Sequence, residues 1–330
     1  MHRTLFTLIA AVLLLGSAYE AAGQPQEQPL EVRHTIPSDD SFIGQVRDVK
    51  VSDDAVFVAD YQRNEVLVYT RDGTLLRQIG EGEGEGPGEF RYIGHIDVSG
   101  DSMLVSNNGN RRFDLFHREG QFIETYAQKY VYASDFTLTE DGSIYGSAFK
   151  RSGSNRLISR MGRDGELRER FGDMYFEDEE IIFLASNGWI HEEHGQFVYV
   201  SEHYETVRVF EDTTETHRFD IYNEVLDDAL ANNKDLSQFR PAVDQRFPFQ
   251  PYIRAAAVHD DIVYAAFQEP EQIRILAYTI DGEPYGNYVY DGIQRPDDLV
   301  VRAMDVDDEG IYLGLEDDIP KVLVFAHPDK

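Results

Sequence analysis

The chain has 330 residues, no cysteine, and 30 Lys and Arg against 61 Asp and Glu, which gives a net charge of −31. The missing sulfur excludes a disulfide scaffold, a zinc-thiolate module and a cysteine nucleophile. The acidic surface argues against a nucleic-acid partner, because such binding needs basic residues to neutralise phosphates. Apolar residues make up 42% of the chain, enough for a packed core. The acidity fits a protein kept soluble at high salt as well as an ordinary acidic secreted protein.

The N-terminus has the features of an export signal. Arg3 precedes an apolar run from Leu5 to Leu15, and small residues follow up to Gly23. This run is shorter than the roughly 20 residues that span a bilayer, but it suits a signal peptide. We therefore expect residues 1–23 to be removed. Because no cysteine lies near this point to carry a lipid, and no later segment could cross a membrane, we expect a soluble periplasmic or extracellular product that is not a lipoprotein.

The rest of the chain alternates short β-rich runs with tight turns. The first such run, Leu30 to Ile36, has no obvious partner beside it. Further along, runs such as Ala55–Ala59 and Glu65–Tyr69 are joined by turns of the Asp-Gly type, for example Asp72-Gly73. Asp-Gly turns tolerate the positive φ that hairpins require, so each turn should connect two antiparallel strands. The pattern predicts an all-β fold.

The strands and turns repeat with a period of roughly 40 to 50 residues. Aligning the units places six positions in register: Arg47, Gly94, Ser134, Asn187, Arg254 and Arg302. Four antiparallel strands in each unit of this length are typical of a β-propeller blade. The sequence therefore predicts a six-bladed β-propeller over residues 24–330.

The last unit has room for only three strands, because only five residues follow Phe325. The unpartnered Leu30–Ile36 run could supply the fourth. We therefore expect the N-terminal strand to complete blade six, so that the two ends of the chain close the ring and cover an exposed strand edge.

The segment from Gly80 to Phe90 reads GEGEGEGPGEF. Its glutamates would repel phosphate, so it is better explained as a connector between blades than as a phosphate-binding loop. Together with VFVAD, VLVY and MLVSNNGNRRFDLF around it, this segment resembles the NHL-repeat family of β-propellers. The resemblance implies the propeller fold. Similar propellers serve as binding platforms and as scaffolds for lyases and lactonases, so it does not imply one activity.

The start of each inner strand should lie at one mouth of the central channel, where propellers usually bind ligands. Arg47, Arg254 and Arg302 belong to neighbouring blades, so their guanidinium groups could together bind a small anion. The alternative is that each arginine pairs with a nearby carboxylate.

A metal site at the same mouth is a second hypothesis. Its candidate ligands are Asp48, His95, Asp135 and Asn187. The oxygen ligands suit Ca²⁺, and His95 could join a transition-metal site. The alternative is that these are ordinary solvated residues at strand ends.

The spacing between successive repeats changes once, at an insertion of about residues 222–252. Val225, Leu226, Ala229 and Leu230 have helical spacing within it. This segment could be a lid over the channel mouth or a packed decoration on the rim.

No catalytic spacing is evident in the sequence. We therefore expect a monomeric, secreted binding module for a small anionic ligand or another protein, with a metal-dependent lyase or lactonase as the rival hypothesis.

Overall fold

The computed structural model describes residues 24–52, 54–127, 135–147, 156–174, 186–234, 249–293, 295 and 299–328. Two strands come first, β1 (Gln28–Pro29) and β2 (Val32–Ile36). Blade 1 follows with β3 (Val46–Ser52), β4 (Ala55–Asp60), β5 (Glu65–Thr70) and β6 (Leu75–Ile79). Blade 2 contains β7 (Ile93–Ser99), β8 (Ser102–Asn107), β9 (Arg112–His117) and β10 (Phe122–Ala127).

The remaining blades repeat this plan. Blade 3 contains β11 (Phe136–Leu138), β12 (Ile144–Ser147), β13 (Arg156–Met161) and β14 (Leu167–Asp173). Blade 4 contains β15 (Gly188–Glu193), β16 (Gln196–Ser201), β17 (Thr206–Glu211) and β18 (Thr214–Asp220). Blade 5 contains β19 (Ala255–His259), β20 (Ile262–Gln268), β21 (Ile273–Thr279) and β22 (Pro284–Tyr290). Blade 6 contains β23 (Val300–Asp307), β24 (Gly310–Glu316) and β25 (Lys321–Ala326).

The six blades form a closed ring, as the sequence predicts. In each blade successive strands pair antiparallel, and the hairpin glycines adopt positive φ, for example +90° at Gly73 and +102° at Gly120. The first strand of every blade lies beside the first strands of both neighbouring blades, so these six inner strands surround the channel.

The N-terminal strand completes blade 6, and this prediction is confirmed. β2 pairs antiparallel with β25, with Val32 opposite Phe325 and Ile36 opposite Val322. The structure adds a feature that the sequence did not indicate: β1 pairs in parallel with β22, at the outer edge of blade 5. Leu30, between the two strands, is buried in a core cluster shared by blades 5 and 6. The N-terminal segment therefore joins two blades.

The core lies between adjacent blades, because each sheet packs its apolar face against the next. Val49 and Val56 of blade 1 pack with Tyr312 and Val322 of blade 6. On the other face of blade 1, Phe57 packs with Ile96 of blade 2. Burial of these side chains is the main favourable contribution to the folding free energy.

The inserted segment contains a 3₁₀ turn (Glu224–Leu226) and one short helix, α1 (Asp227–Lys234). Leu230 is buried, and the Asn233 amide donates to the main-chain oxygens of His203 at 2.8 Å and Gln250 at 2.7 Å. α1 is therefore packed against blade 4. Most of the remainder, residues 235–248, lies outside the described residues, as does the expected signal peptide. Within the described part of the chain, no helix is both long enough and apolar enough to cross a membrane.

Candidate functional site

One end of the channel is built from the loops between second and third strands and from the connections between blades. Asp60, at the end of β4, organises this end in blade 1. Its buried carboxylate accepts hydrogen bonds from four backbone N–H groups, those of Gly44, Gln45, Gln62 and Arg63, at 2.6 to 3.1 Å. The loop that carries Tyr61 and Gln62 is thereby held against the start of β3. We call this end the channel mouth.

Two of the predicted arginines are extra residues in β-bulges at the mouth. Val46 pairs with Asp60 and Asp48 with Ala59, which leaves Arg47 unpaired in the ladder. Arg302 has the same position in blade 6, between Val301 and Ala303. A bulge redirects a side chain away from the regular alternation of the strand. This explains how the two guanidinium groups come to face the mouth from neighbouring blades.

Arg47 and Arg302 line one cavity of about 360 Å³. Gln45, Tyr61, Tyr92 and Asn108 also contribute to its wall. The volume lies in the range of about 300 to 1,000 Å³ that is usual for small-molecule sites. The structure therefore brings two of the three predicted arginines together in a space large enough for a ligand.

The three arginines differ in their partners. Arg302 donates from Nε and Nη2 to Oε2 of Glu316, at 2.8 and 2.6 Å. Arg47 contacts the ring of His95, and within the described residues it forms no ion pair with a carboxylate. Arg254 likewise has no ion pair in the described part of the chain, and burial together with the nearby charge of Arg302 lowers its pKa, against the opposing effect of Glu202. The alternative hypothesis is that each of the three arginines pairs with a carboxylate. In the described part of the chain, only Arg302 does so.

Three of the four candidate metal ligands converge. The side-chain ligand atoms of Asp48, His95 and Asp135 lie within 4.8 Å of one another. His95 Nδ1 is 3.4 Å from Asp48 and 3.5 Å from Asp135. In the described residues no hydrogen bond links the Asn187 side chain to this group, although its main-chain oxygen accepts from Tyr199 Oη at 3.0 Å.

The contact between Arg47 and His95 determines which nitrogen of the imidazole ring carries the proton. Arg47 Nη2 lies 3.3 Å from His95 Nε2. A guanidinium group can only donate, so Nε2 must accept and the ring proton of the neutral imidazole must be on Nδ1, directed toward the two carboxylates. A metal ion needs Nδ1 without its proton. His95 could therefore bind a metal only if Arg47 moved away.

Four aspartates, in the inner strands or directly before one, join neighbouring blades. Each carboxylate accepts a hydrogen bond from a backbone N–H of the next blade. The four pairs are Asp305 with Val51 at 2.7 Å, Asp48 with Ile96 at 2.9 Å, Asp97 with Leu138 at 2.6 Å and Asp135 with Ile190 at 3.0 Å. We call these residues the channel aspartates.

Lys50 is the cation among the channel aspartates. Burial alone would lower its pKa, but the charges of all four carboxylates outweigh that effect and raise it. Burial raises the pKa of Asp97, Asp135 and Asp305, in the last case to about 6, although Lys50 opposes the shift. The pKa of Asp48 is lowered, because its contacts with His95 and Lys50 outweigh the effect of burial.

The imidazole of His191, which lies near Lys50, is uncharged at neutral pH. It is 8% exposed, and burial and the charge of Lys50 lower its pKa to about 3. Its Nε2 has no hydrogen-bond partner in the described part of the chain.

Sequence reasoning missed Lys50, Asp97 and Asp305. Lys50 and Asp97 lie two positions after candidates that it did select, Asp48 and His95, and so point to the same side of the strand. Lys50, Asp97 and Asp305 each lie three residues after a register position, so extending each register position by three residues would have found them.

Several known proteins share the fold. One similar structure is that of a protein from Bacteroides fragilis NCTC 9343 whose name describes it as exported. The two structures align with a TM-score of 0.61 and 12% sequence identity, over 90% of this chain and 95% of that chain. A DUF4221 family member from Bacteroides vulgatus gives a TM-score of 0.57 at 10% identity, with 90% and 97% coverage. An inactive virginiamycin B lyase from Staphylococcus aureus, with quinupristin, gives 0.51 at 13% identity, with 90% and 89% coverage.

At these identities the similarity is evidence of fold alone. Among curated proteins none matches the sequence. Membership of the NHL-repeat family specifically is not established by any of these similarities. A family model, however, matches most of the chain, from residue 36 to residue 296. The chain therefore belongs to the DUF5128 family of 6-bladed beta-propellers.

Proposed function

We propose that this propeller binds a small anionic ligand at the channel mouth, through Arg47 with Arg254 and Arg302. The observation that carries the proposal is that Arg47 lines a ligand-sized cavity together with Arg302 and has no carboxylate partner among the described residues. Because Arg47 is also half-buried, water compensates its charge only in part. An anion would supply the missing partner and could accept two parallel hydrogen bonds from it.

The protein is proposed to act outside the cytoplasm, after removal of residues 1–23. Support comes from the apolar run at Leu5 to Leu15 and from the similar protein named as exported.

Loss of one arginine should weaken anion binding substantially. Charge-assisted hydrogen bonds contribute about 1.5 to 3 kcal/mol, so Arg47→Ala and Arg254→Ala should each raise Kd roughly ten-fold to a hundred-fold. Isothermal titration calorimetry with a uronic acid, a dicarboxylate and sulfate provides the measurement. Arg168→Ala is the matched control, because Arg168 pairs with Asp164 at an exposed turn in blade 3. Unchanged affinity for every bound anion in both mouth variants would refute the proposal.

A metal-dependent lyase or lactonase is the second candidate, and the convergence of Asp48, His95 and Asp135 favours it. The hydrogen bond from Arg47 to His95 and the nearby Lys50 charge oppose a cation at that position. We expect elemental analysis of protein purified without chelators to find well under one metal ion per chain. A stoichiometric metal that is lost in His95→Ala and retained in His117→Ala would instead support the lyase.

A further inference from the structure

A second cavity adjoins the first one at the mouth. It has a volume of about 550 Å³ and shares Gln45, Tyr61 and Tyr92 with the cavity that contains Arg47 and Arg302. The two cavities therefore adjoin at these three residues, and we call them together the mouth groove. Its inner end contains Arg47 and Arg302. Its outer end extends to Gln62, Asn64, Glu83, Glu316 and Asp317.

Two tyrosines lie where the cavities meet. Their ring centroids are 6.1 Å apart and the planes differ by 24°, an arrangement in the range of offset-stacked aromatic pairs. Tyr61 is 37% exposed and Tyr92 is 57% exposed. Two parallel aromatic faces left open to solvent at the wall of a cavity are a surface on which a flat, partly apolar ring can stack.

Tyr92 also adopts an unfavourable backbone conformation. Its φ is +51°, in the left-handed region that a bulky residue rarely occupies. Such strain persists only where the surrounding structure imposes it, and it is concentrated at functional sites. The chain thus holds an exposed tyrosine in the groove at a cost in stability.

The groove wall also has an unused hydrogen-bond acceptor. Glu316 uses Oε2 to bind Arg302, whereas its Oε1 is buried and has no partner in the described part of the chain. A buried acceptor without a donor costs about 1 to 3 kcal/mol. Because Glu316 lines the groove, a small rotation of its carboxylate would present this acceptor to a ligand hydroxyl group. The amide side chains of Gln45 and Gln62, which can donate and accept, line the same space.

The charges along the groove differ between its ends. The inner end is positive, through Arg47 and Arg302, and favours an anionic group. The outer end contains the carboxylates of Glu83 and Asp317. Lys321 pairs with Asp317, so it is mainly the charge of Glu83 that would repel a second anionic group. The preferred ligand is thus charged at one end only, and its other end has hydroxyl groups and a face that can stack on tyrosine.

We propose that the mouth groove binds an acidic oligosaccharide that has one terminal uronic acid followed by neutral sugars. The uronate carboxylate lies at Arg47. A neutral sugar stacks on Tyr61 and Tyr92 and donates a hydroxyl hydrogen bond to the carboxylate of Glu316. Sugar rings combine an apolar C–H face with hydroxyl edges, which matches this set of groups. The proposal rests on the proposed function, since it uses the same arginine for the anionic group.

Titration calorimetry with four ligands tests it: a uronic acid monosaccharide, a trisaccharide with one terminal uronate, the same trisaccharide without the carboxylate, and a polyuronate of equal length. The terminal-uronate trisaccharide should bind at least about ten-fold more tightly than the monosaccharide. In the Tyr61→Ala/Tyr92→Ala double variant this gain should fall below about three-fold. Because both tyrosines also line the cavity that contains Arg47, the gain is calculated against the monosaccharide affinity of the same variant. Tyr61→Phe/Tyr92→Phe should retain most of the gain, and Tyr285→Ala, at an exposed tyrosine of blade 5, should retain all of it.

The outcomes separate this inference from the function on which it rests. If the monosaccharide binds through Arg47 but the trisaccharide gains nothing, or gains equally in the double alanine variant, the oligosaccharide proposal is wrong and anion binding stands. If a peptide with a C-terminal carboxylate shows the tyrosine-dependent gain instead, the ligand class is wrong. Tighter binding of the polyuronate would contradict the role of the outer carboxylates. Equal binding of the neutral trisaccharide would overturn the anion proposal itself.

Discussion

Replacing Lys50 with methionine should strongly destabilise the protein. The ammonium group is the cation that the four channel aspartates share. Its loss removes the opposing charge from two buried carboxylates, those of Asp48 and Asp135, and from the half-buried Asp97 and Asp305. Breaking a fully buried charge pair typically costs about 3 to 5 kcal/mol, and because Lys50 itself is half-buried we expect a loss near the lower end of that range. Chemical denaturation at pH 7 provides the measurement. Lys234→Met is the matched control, because the Lys234 side chain is 51% exposed in its pair with Glu205 and water can replace much of that interaction, so the pair should contribute about 1 kcal/mol.

The loss of stability caused by Lys50→Met should be smaller at lower pH. Asp97, Asp135 and Asp305 already have raised pKa values in the folded protein, and without Lys50 these values would rise further. Between the unfolded and the folded pKa values the native state binds more protons, so the free energy of unfolding decreases as the pH rises. Lys50→Met should therefore recover stability when the pH is lowered from 7 to 5. A variant as stable as the wild type at pH 7, or one that stays unfolded at pH 5, would contradict this role for Lys50.

Removal of residues 24–38 should abolish cooperative unfolding. This deletion takes away β2, the outer strand of blade 6, and β1, which pairs with blade 5. It also removes Ile36, which is fully buried, and it exposes the edge of β25. An uncovered edge strand promotes intermolecular pairing and aggregation. Thermal unfolding followed by circular dichroism should show no sigmoidal transition, and light scattering should detect association.

A smaller deletion and a point substitution serve as controls for the deletion of residues 24–38. Deleting only residues 24–27 leaves both strands in place and should shift the melting temperature little. Ile36→Ala retains the strand and should cost about 2 to 5 kcal/mol as a cavity in the core. If the full deletion melts cooperatively at the wild-type temperature, the N-terminal strand is not required to close the ring.

The fold could be predicted because propeller blades repeat. Turns such as Asp72-Gly73 and the register from Arg47 to Arg302 depend only on local sequence and spacing, and strand counting alone indicated the closure through Leu30–Ile36. The pairing of β1 with β22 could not be predicted, since two residues carry no periodic signal.

The site was only partly predictable for a related reason. The register placed Arg47, Asp48, His95 and Asp135 near one another without knowledge of any distance. It could not show that Arg302 pairs with Glu316, because a bulge changes the cross-strand register there. Nor could it find Tyr61 and Tyr92, which lie in loops whose conformation depends on contacts such as those of Asp60.

A crystal structure of the protein soaked with a uronic acid would test the central claim most directly. The account predicts electron density for the ligand in the cavity shared by Arg47 and Arg302, with its carboxylate within about 3 Å of the Arg47 guanidinium nitrogens. Density at another place on the propeller, or a cavity without ligand at a concentration that saturates binding in solution, would contradict it.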